Sequence, residues 1–186
     1  MFEGVDISRA WIETVSGNRF HLLDPRQDEI FIEDIAHALG KMCRFTCHTR
    51  RFYSVAEHCL AVSYLVPSKD ALWGLLHDAS EAYTGDMNRP LKHFTPVGEI
   101  FRRIEEVIMG AVAQKFDLPE ACPESVHLAD NQMLWAEKKQ LMTSLPWDFN
   151  EIQPNVPDAN RMVKCYPETV AKTEFLHRYY ELTNQL

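Results

Sequence analysis

The chain has 186 residues, of which 46% are apolar and 7 are glycine, so it can bury one substantial core. Its formal net charge of −8 would repel the backbone of a nucleic-acid polymer, which makes such a partner unexpected. The first residues carry no signal peptide pattern, and no apolar run approaches the roughly 18 residues of a membrane helix. We therefore expect one cytoplasmic domain, 1–186, with no membrane partner.

The segment 11–22 alternates apolar and polar residues on either side of Ser16-Gly17-Asn18, which predicts a short hairpin. From Ile32 the apolar spacing becomes helical, and Gly40 is the expected end of a first helix. Residues 41–53 form a connection, and a loop contains Pro90 and Pro96. Further helices are predicted at 54–67, 69–83, 98–116, 124–144 and 167–184, with a Pro-rich break at 145–157.

Two local details accompany these elements. Ser54 and Glu57 have the spacing of a reciprocal capping box at the start of the second helix. The inward positions predicted for the helix at 98–116 include Ile100.

The five cysteines are odd in number and lack a Cys-x-x-Cys pair, which disfavours disulfides and a zinc ribbon. We expect them, like Trp73 and Trp135, to be core residues.

The sequence Leu75-Leu76-His77-Asp78-Ala79 places an imidazole and a carboxylate inside an apolar helix. Uncompensated polar groups there would cost several kcal/mol, so something must satisfy them. A divalent cation fits, because histidine nitrogen and aspartate oxygen suit zinc, manganese, iron or cobalt. Glu81 lies four residues after His77 and would face the same side of a continuous helix, where it could activate a water.

The chain contains five short motifs of interest: Ala56-Glu57-His58, Leu76-His77-Asp78-Ala79-Ser80-Glu81, Thr84-Gly85-Asp86, Pro90-Leu91-Lys92 and Ala129-Asp130. Together they resemble the H…HD…D signature of HD-domain phosphohydrolases, in particular the 5′-deoxynucleotidase branch and compact phage and bacterial members such as phage dATP triphosphohydrolases. The resemblance implies an all-α fold, namely a compact HD-domain bundle of five to six helices behind the hairpin. Residues 1–31 would be the hairpin and lead-in, 32–143 the metal-site bundle, and 144–186 a loop with the C-terminal helix.

By this resemblance the metal ligands would be His58, His77, Asp78 and Asp130. Helical periodicity alone leaves Glu124 and Glu137 as competitors of Asp130. Glu81 would position or deprotonate the attacking water, assisted by Asp86. A divalent Zn, Co, Mn or Fe ion would be the cofactor, with Mg as a candidate second ion.

Substrate contacts are implied by the same resemblance. Arg44 would hold phosphate, and Phe45, where the branch usually has Trp, would face the sugar or base unless it only packs. Lys92 and Arg89 are further phosphate candidates. His48 would line the pocket or be a solvated loop residue.

The expected function is removal of a 5′-phosphate or triphosphate from deoxynucleotides, with dATP or dAMP favoured. A homo-oligomer is expected from the resemblance. Two alternatives remain open: HD chemistry on a cyclic dinucleotide or alarmone, and a non-catalytic helical module with a structural metal.

Overall fold

The computed structural model describes residues 6–143 and 157–185. These residues form a helical bundle behind a two-stranded hairpin, which confirms the predicted all-α class. The helices within the described ranges are α1 (Ile32–Lys41), α2 (Val55–Leu65), α3 (Ala71–Leu76), α4 (Glu81–Thr84), α5 (Arg89–Phe94), α6 (Pro96–Lys115), α7 (Glu124–Leu141), α8 (Pro157–Met162) and α9 (Glu168–Leu182). The predicted break at 145–157 lies almost wholly outside the described residues, and no described helix is long and apolar enough to cross a membrane.

The predicted hairpin is present as β1 (Trp11–Glu13) and β2 (Arg19–His21), with Ile12 opposite Phe20. Gly17 supplies the positive φ of 79° that the turn requires. Phe20 is fully buried, and its ring stacks on that of Tyr83 with centroids 3.6 Å apart. This contact ties the hairpin to α4.

Helix α2 is the centre of the bundle, since every residue from Val55 to Ser63 is buried and α1, α3, α7 and α9 all contact it. Ser54 caps this helix by accepting a hydrogen bond from the Glu57 backbone N–H. The reciprocal half of the predicted capping box is wrong. The Glu57 carboxylate instead accepts three backbone N–H groups of residues 164–166, at 2.7 to 2.8 Å, because it is buried against the segment that leads into α9.

The single helix predicted at 69–83 is divided into α3 and α4. Between them, the Ala79 N–H donates to Leu76 O and the Glu81 N–H donates to Asp78 O. Each bond joins residues three apart, as in a 3₁₀ turn, where an α-helix would join residues four apart. This tighter turn spans 77–80, which contains His77 and Asp78. The argument that Glu81 shares a continuous helical face with His77 is therefore wrong in its geometry.

Helix α5 lies where a proline-containing loop was predicted. The helix can form because Asn88 caps it and Pro90 sits in its first turn, where a missing N–H is tolerated. Helix α6 begins two residues after α5 ends, with Gly98 buried against the backbone of Leu91 and Lys92. The prediction that Ile100 points inward is wrong, since it is 61% exposed.

The remaining differences are local. Gly40 lies inside α1 and does not end it; a Cβ there would meet the Glu168 carbonyl oxygen at 3.2 Å, so glycine allows α1 to pack closely on α9. Helix α7 ends at Leu141, short of the predicted 144. Cys59 is buried as expected, but the core prediction is wrong for Cys47, which is exposed in a loop.

Candidate metal centre

Four side chains from α2, the turn after α3, and α7 converge on one point. The Nε2 atom of His58 lies 3.2 Å from His77 Nε2, 3.1 Å from Asp130 Oδ1 and 3.7 Å from Asp78 Oδ2. His77 Nε2 also lies 3.2 Å from Asp78 Oδ2. The structure thus brings together all four residues predicted as metal ligands.

The other nitrogen of each imidazole faces an acceptor. His58 Nδ1 is 2.6 Å from Glu137 Oε1, and His77 Nδ1 is 2.9 Å from the carbonyl oxygen of Gly74. With protons on both Nδ1 atoms, both Nε2 lone pairs point at each other and at two carboxylates. Four hydrogen-bond acceptors without a donor repel one another unless a cation lies between them. The two nitrogens and two carboxylates therefore fit the ligand set of a divalent metal.

The close approach of these groups shifts their pKa values. Burial lowers the pKa of His77, but the Asp78 carboxylate outweighs it and raises this pKa well above the usual value. The pKa of Asp130 falls to about 2 because His58 outweighs the effect of burial. Histidine protons and a metal ion would therefore compete for the same lone pairs.

The four side chains differ in exposure in a way that orients the site. The His58 side chain is 0% exposed and that of His77 9%, whereas that of Asp130 is 42% exposed. The cluster is therefore anchored in the core at α2 and opens to solvent beside α7. A substrate could reach it from that side.

Cys59 is a further ligand candidate that the sequence reasoning missed, since its sulfur lies within 4.8 Å of ligand atoms of His77 and Asp78. Burial raises the pKa of its thiol to about 11, so it is protonated at neutral pH. The thiol must lose this proton to bind a metal, whereas the lowered pKa values of Asp78 and Asp130 leave both carboxylates ionised, so Cys59 is the costlier ligand.

Glu137 is the most important residue that the sequence reasoning did not select, having weighed it only as a rival of Asp130. It is fully buried, and besides His58 it contacts Arg44, whose Nε donates to Glu137 Oε2 at 3.0 Å. Arg44 also places an NH group 3.6 Å from Asp78. Burial alone would lower the pKa of Arg44, but Glu137 and Asp78 raise it, so the guanidinium stays charged beside the cluster.

The loop after Arg44 has an uncommon backbone. Phe45, Thr46 and Cys47 have φ values of 56°, 52° and 64°, a left-handed turn built from three residues other than glycine. Such residues each cost about 1 to 3 kcal/mol and persist only when their surroundings hold them. Arg50 helps to hold this turn in place, because its backbone N–H donates to the Leu141 carbonyl oxygen at 2.9 Å, at the end of α7.

Glu81 is 5% exposed, and its Oε2 atom is buried without a hydrogen-bond partner among the described residues. Burial raises its pKa well above the usual value, and the nearby carboxylates of Asp78 and Asp86 add to the effect. Burial likewise raises the pKa of Asp86, whose backbone N–H donates to the Met42 sulfur. A buried carboxylate with one free oxygen and a raised pKa, close enough to the cluster to feel the Asp78 charge, is suited to proton transfer.

The predicted substrate contacts divide into two groups. Arg44 lies at the cluster with the Phe45 ring 5.5 Å from its guanidinium. Burial lowers the pKa of Lys92, but Glu105 outweighs it and raises this pKa, and the charges of Glu81 and Asp78 add to the effect. Lys92 is held by Glu105 of α6, at 2.7 Å. The structure does not bring His48 or Arg89 to the cluster: both are exposed, and their side chains make no hydrogen bond or ion pair within the described part of the chain.

These features define a helical protein with a buried His/Asp cluster that could hold a metal ion. The chain is 40% identical over 132 residues to the uncharacterized protein YfdR of Escherichia coli (strain K12), an alignment that covers 71% of this chain and 72% of that protein. The chain therefore belongs to the same family as YfdR. It is also 38% identical over 132 residues to an uncharacterized protein of Rhodobacter capsulatus, covering 66% of each.

A shorter similarity carries a named activity. Over 69 residues the chain is 32% identical to a 5′-deoxynucleotidase of Photobacterium profundum, covering 28% of this chain and 36% of that protein. No protein-family model matches the chain.

Proposed function

We propose that this protein is a metal-dependent phosphohydrolase of the HD type that acts on the 5′-phosphate of deoxynucleotides. The observation that carries the proposal is the convergence of four acceptor side chains, together with the buried Glu81 carboxylate, which interacts with the Asp78 charge and whose Oε2 has no hydrogen-bond partner among the described residues. The partial similarity to a 5′-deoxynucleotidase supports the substrate class. A purely structural metal site would gain nothing from an extra carboxylate whose repulsion is costly.

In this proposal His58, His77, Asp78 and Asp130 hold one divalent ion, for which Zn, Co, Mn and Fe are the candidates and Mg a second-ion candidate. When bound, the ion supplies a lowered pKa for a water and polarises a phosphoryl oxygen. The side chains around it position the substrate and move the proton.

Glu81 accepts the proton of the water that attacks the α-phosphorus. The bond between this phosphorus and O5′ breaks, and the proton passes to O5′, which leaves as the nucleoside hydroxyl. A raised pKa brings Glu81 closer to the range in which a base can both take and return a proton near neutral pH. Asp86 assists from the adjacent position. The same bond breaks whether the product is phosphate or triphosphate.

Arg44 and Lys92 bind the phosphate and offset the negative charge that builds in the transition state. Phe45 faces the sugar or base from the left-handed turn, with dAMP or dATP as the favoured substrate. Arg89 and His48, both exposed in the structure, would contact a larger substrate only at its periphery. The protein would act as a cytoplasmic homo-oligomer.

The test is a nucleotide panel. Purified protein loaded with Mn²⁺, Co²⁺ or Zn²⁺ is incubated with deoxynucleoside mono- and triphosphates, ribonucleotides, cyclic dinucleotides and alarmones, and the products are separated. We expect deoxynucleoside plus phosphate or triphosphate. Hydrolysis of a cyclic dinucleotide or alarmone alone would refute the substrate class.

Glu81→Gln tests the mechanism, with the exposed Glu124→Gln as a control of equal charge change. Loss of a general acid–base group typically slows a reaction about 10²- to 10⁴-fold, so Glu81→Gln should lose kcat by at least that order while the control retains it. Metal content should be unchanged in both. Full activity of Glu81→Gln would remove Glu81 from the mechanism.

A further inference from the structure

We infer that Glu137 is a positioning residue that fixes both His58 and Arg44, so that a single carboxylate connects the metal ligands with the phosphate-binding group. This inference rests on the proposed function. Its basis is one buried side chain with two charged or polar partners. Oε1 lies 2.6 Å from His58 Nδ1, and Oε2 accepts from Arg44 Nε at 3.0 Å.

Helix α7 contacts the His58 imidazole at both nitrogens. Asp130 and Glu137 are seven residues apart, which is two helical turns, so their side chains share one face of α7. Asp130 lies at Nε2 and Glu137 at Nδ1. Because Glu137 accepts a hydrogen bond from Nδ1–H, the proton stays on Nδ1 and the Nε2 lone pair remains available to a metal ion. The imidazole cannot rotate without breaking both contacts.

The second contact places Arg44. Its side chain is 12% exposed, and its backbone N–H donates to Tyr53 O at 3.0 Å just before the left-handed turn at 45–47. Glu137 holds the guanidinium on the Asp78 side of the cluster, 3.6 Å from that carboxylate. A carboxylate that served only to neutralise Arg44 would not need to accept a hydrogen bond from a metal-binding histidine as well.

Glu137→Gln separates these roles with little change in volume. An amide has one oxygen and one NH₂, where the wild type offers two acceptors. If the NH₂ faces His58, the histidine proton must move to Nε2 and the metal loses a ligand. If the NH₂ faces Arg44, two donors oppose each other and the guanidinium is displaced. Glu124→Gln, exposed on the same helix, is the matched control.

The readout is metal affinity, which does not depend on turnover. Zn²⁺ or Co²⁺ is titrated in competition with a chelator, and circular dichroism checks that each variant is folded. Loss of a group that orients a metal ligand typically weakens binding about 10- to 100-fold, so we expect this change for Glu137→Gln and none for Glu124→Gln. A folded Glu137→Gln protein with wild-type affinity would overturn the positioning role alone. A wild-type protein that binds no metal would refute the proposed function as well.

A second measurement needs no variant. Long-range ¹H–¹⁵N correlation spectra of the Zn²⁺-loaded wild type report which imidazole nitrogen of His58 carries the proton. We expect a slowly exchanging proton on Nδ1, the atom that faces Glu137. A proton on Nε2, or a rapidly exchanging Nδ1 proton, would contradict the inference even if Glu137→Gln does not fold.

Discussion

Replacing Gly98 with alanine would insert a methyl group where α6 touches the end of α5. A Cβ at this position overlaps the carbonyl oxygen of Lys92 and lies 2.5 Å from that of Leu91. Ordinary van der Waals contact begins near 3.4 Å, and the opposing atoms are backbone, so α5 would have to move by roughly 1 Å. Gly110, on the same helix, provides the control, because a Cβ there would have no heavy atom within 4 Å.

The two substitutions should change stability in opposite directions. Inserting a group into a well-packed region costs about 1 to 3 kcal/mol, and Gly98→Ala should lower the free energy of unfolding by that amount. Gly110→Ala should raise it by about 0.5 to 1 kcal/mol, because alanine reduces the backbone entropy lost on folding.

Urea unfolding followed by circular dichroism measures both free energies, and two-state fits give the difference. Because α5 carries Lys92, the proposed turnover should also fall in Gly98→Ala and stay unchanged in Gly110→Ala. If Gly98→Ala is as stable as the wild type, the close contact between α5 and α6 is not present in the protein and the reasoning fails.

Three further predictions concern the rest of the molecule. In metal-free protein the raised pKa of His77 contributes stability that is complete below about pH 6.5 and is lost as the pH rises through the raised value. The melting temperature in chelator should therefore fall as the pH rises above about 6.5, and a flat profile would contradict this. Glu57→Gln should lower the free energy of unfolding by about 1.5 to 3 kcal/mol, because the buried carboxylate oxygens accept three backbone N–H groups of residues 164–166. An unchanged urea midpoint would mean that these bonds do not hold the segment. Phe20→Ala should lower the free energy of unfolding by about 3 to 5 kcal/mol, since the Phe20 ring is fully buried against Tyr83. A decrease of less than about 1 kcal/mol would mean that the hairpin does not pack on α4.

Long helices with regular apolar spacing were predictable from the sequence. The bounds of α1, α2, α6, α7 and α9 agree with the predictions to within a few residues, because each helix buries at least one face in the bundle. Helix α5 was not predicted, since Pro90 within it and Pro96 just after it suggested a loop. The capping Asn88 followed by Pro90 was the signal that could have revealed it.

The candidate site was predictable in its ligands but not in its supports. His58, His77, Asp78 and Asp130 were identified by motif, and the structure places them together. The turn at 77–80 could not be foreseen, because its hydrogen bonds between residues three apart leave the apolar pattern of the sequence unchanged.

Glu137 was missed for a different reason. A buried carboxylate looks like any other helix-surface glutamate until its partners are known, and both partners come from distant parts of the chain: Arg44 is 93 residues away and His58 is 79. Its separation of seven residues from Asp130 was the only available signal.

The close packing of α9 bears on which part of the chain could fold alone. Ala171 and Phe175 are fully buried in the same core as α1 and α2, and residues 164–166 satisfy a carboxylate at the start of α2. The helix that supplies His58 is thus completed by residues more than 100 positions further along the chain. A fragment spanning 32–143 would contain every proposed metal ligand yet expose the apolar surface that α9 covers, so the centre cannot be transplanted as a separate module.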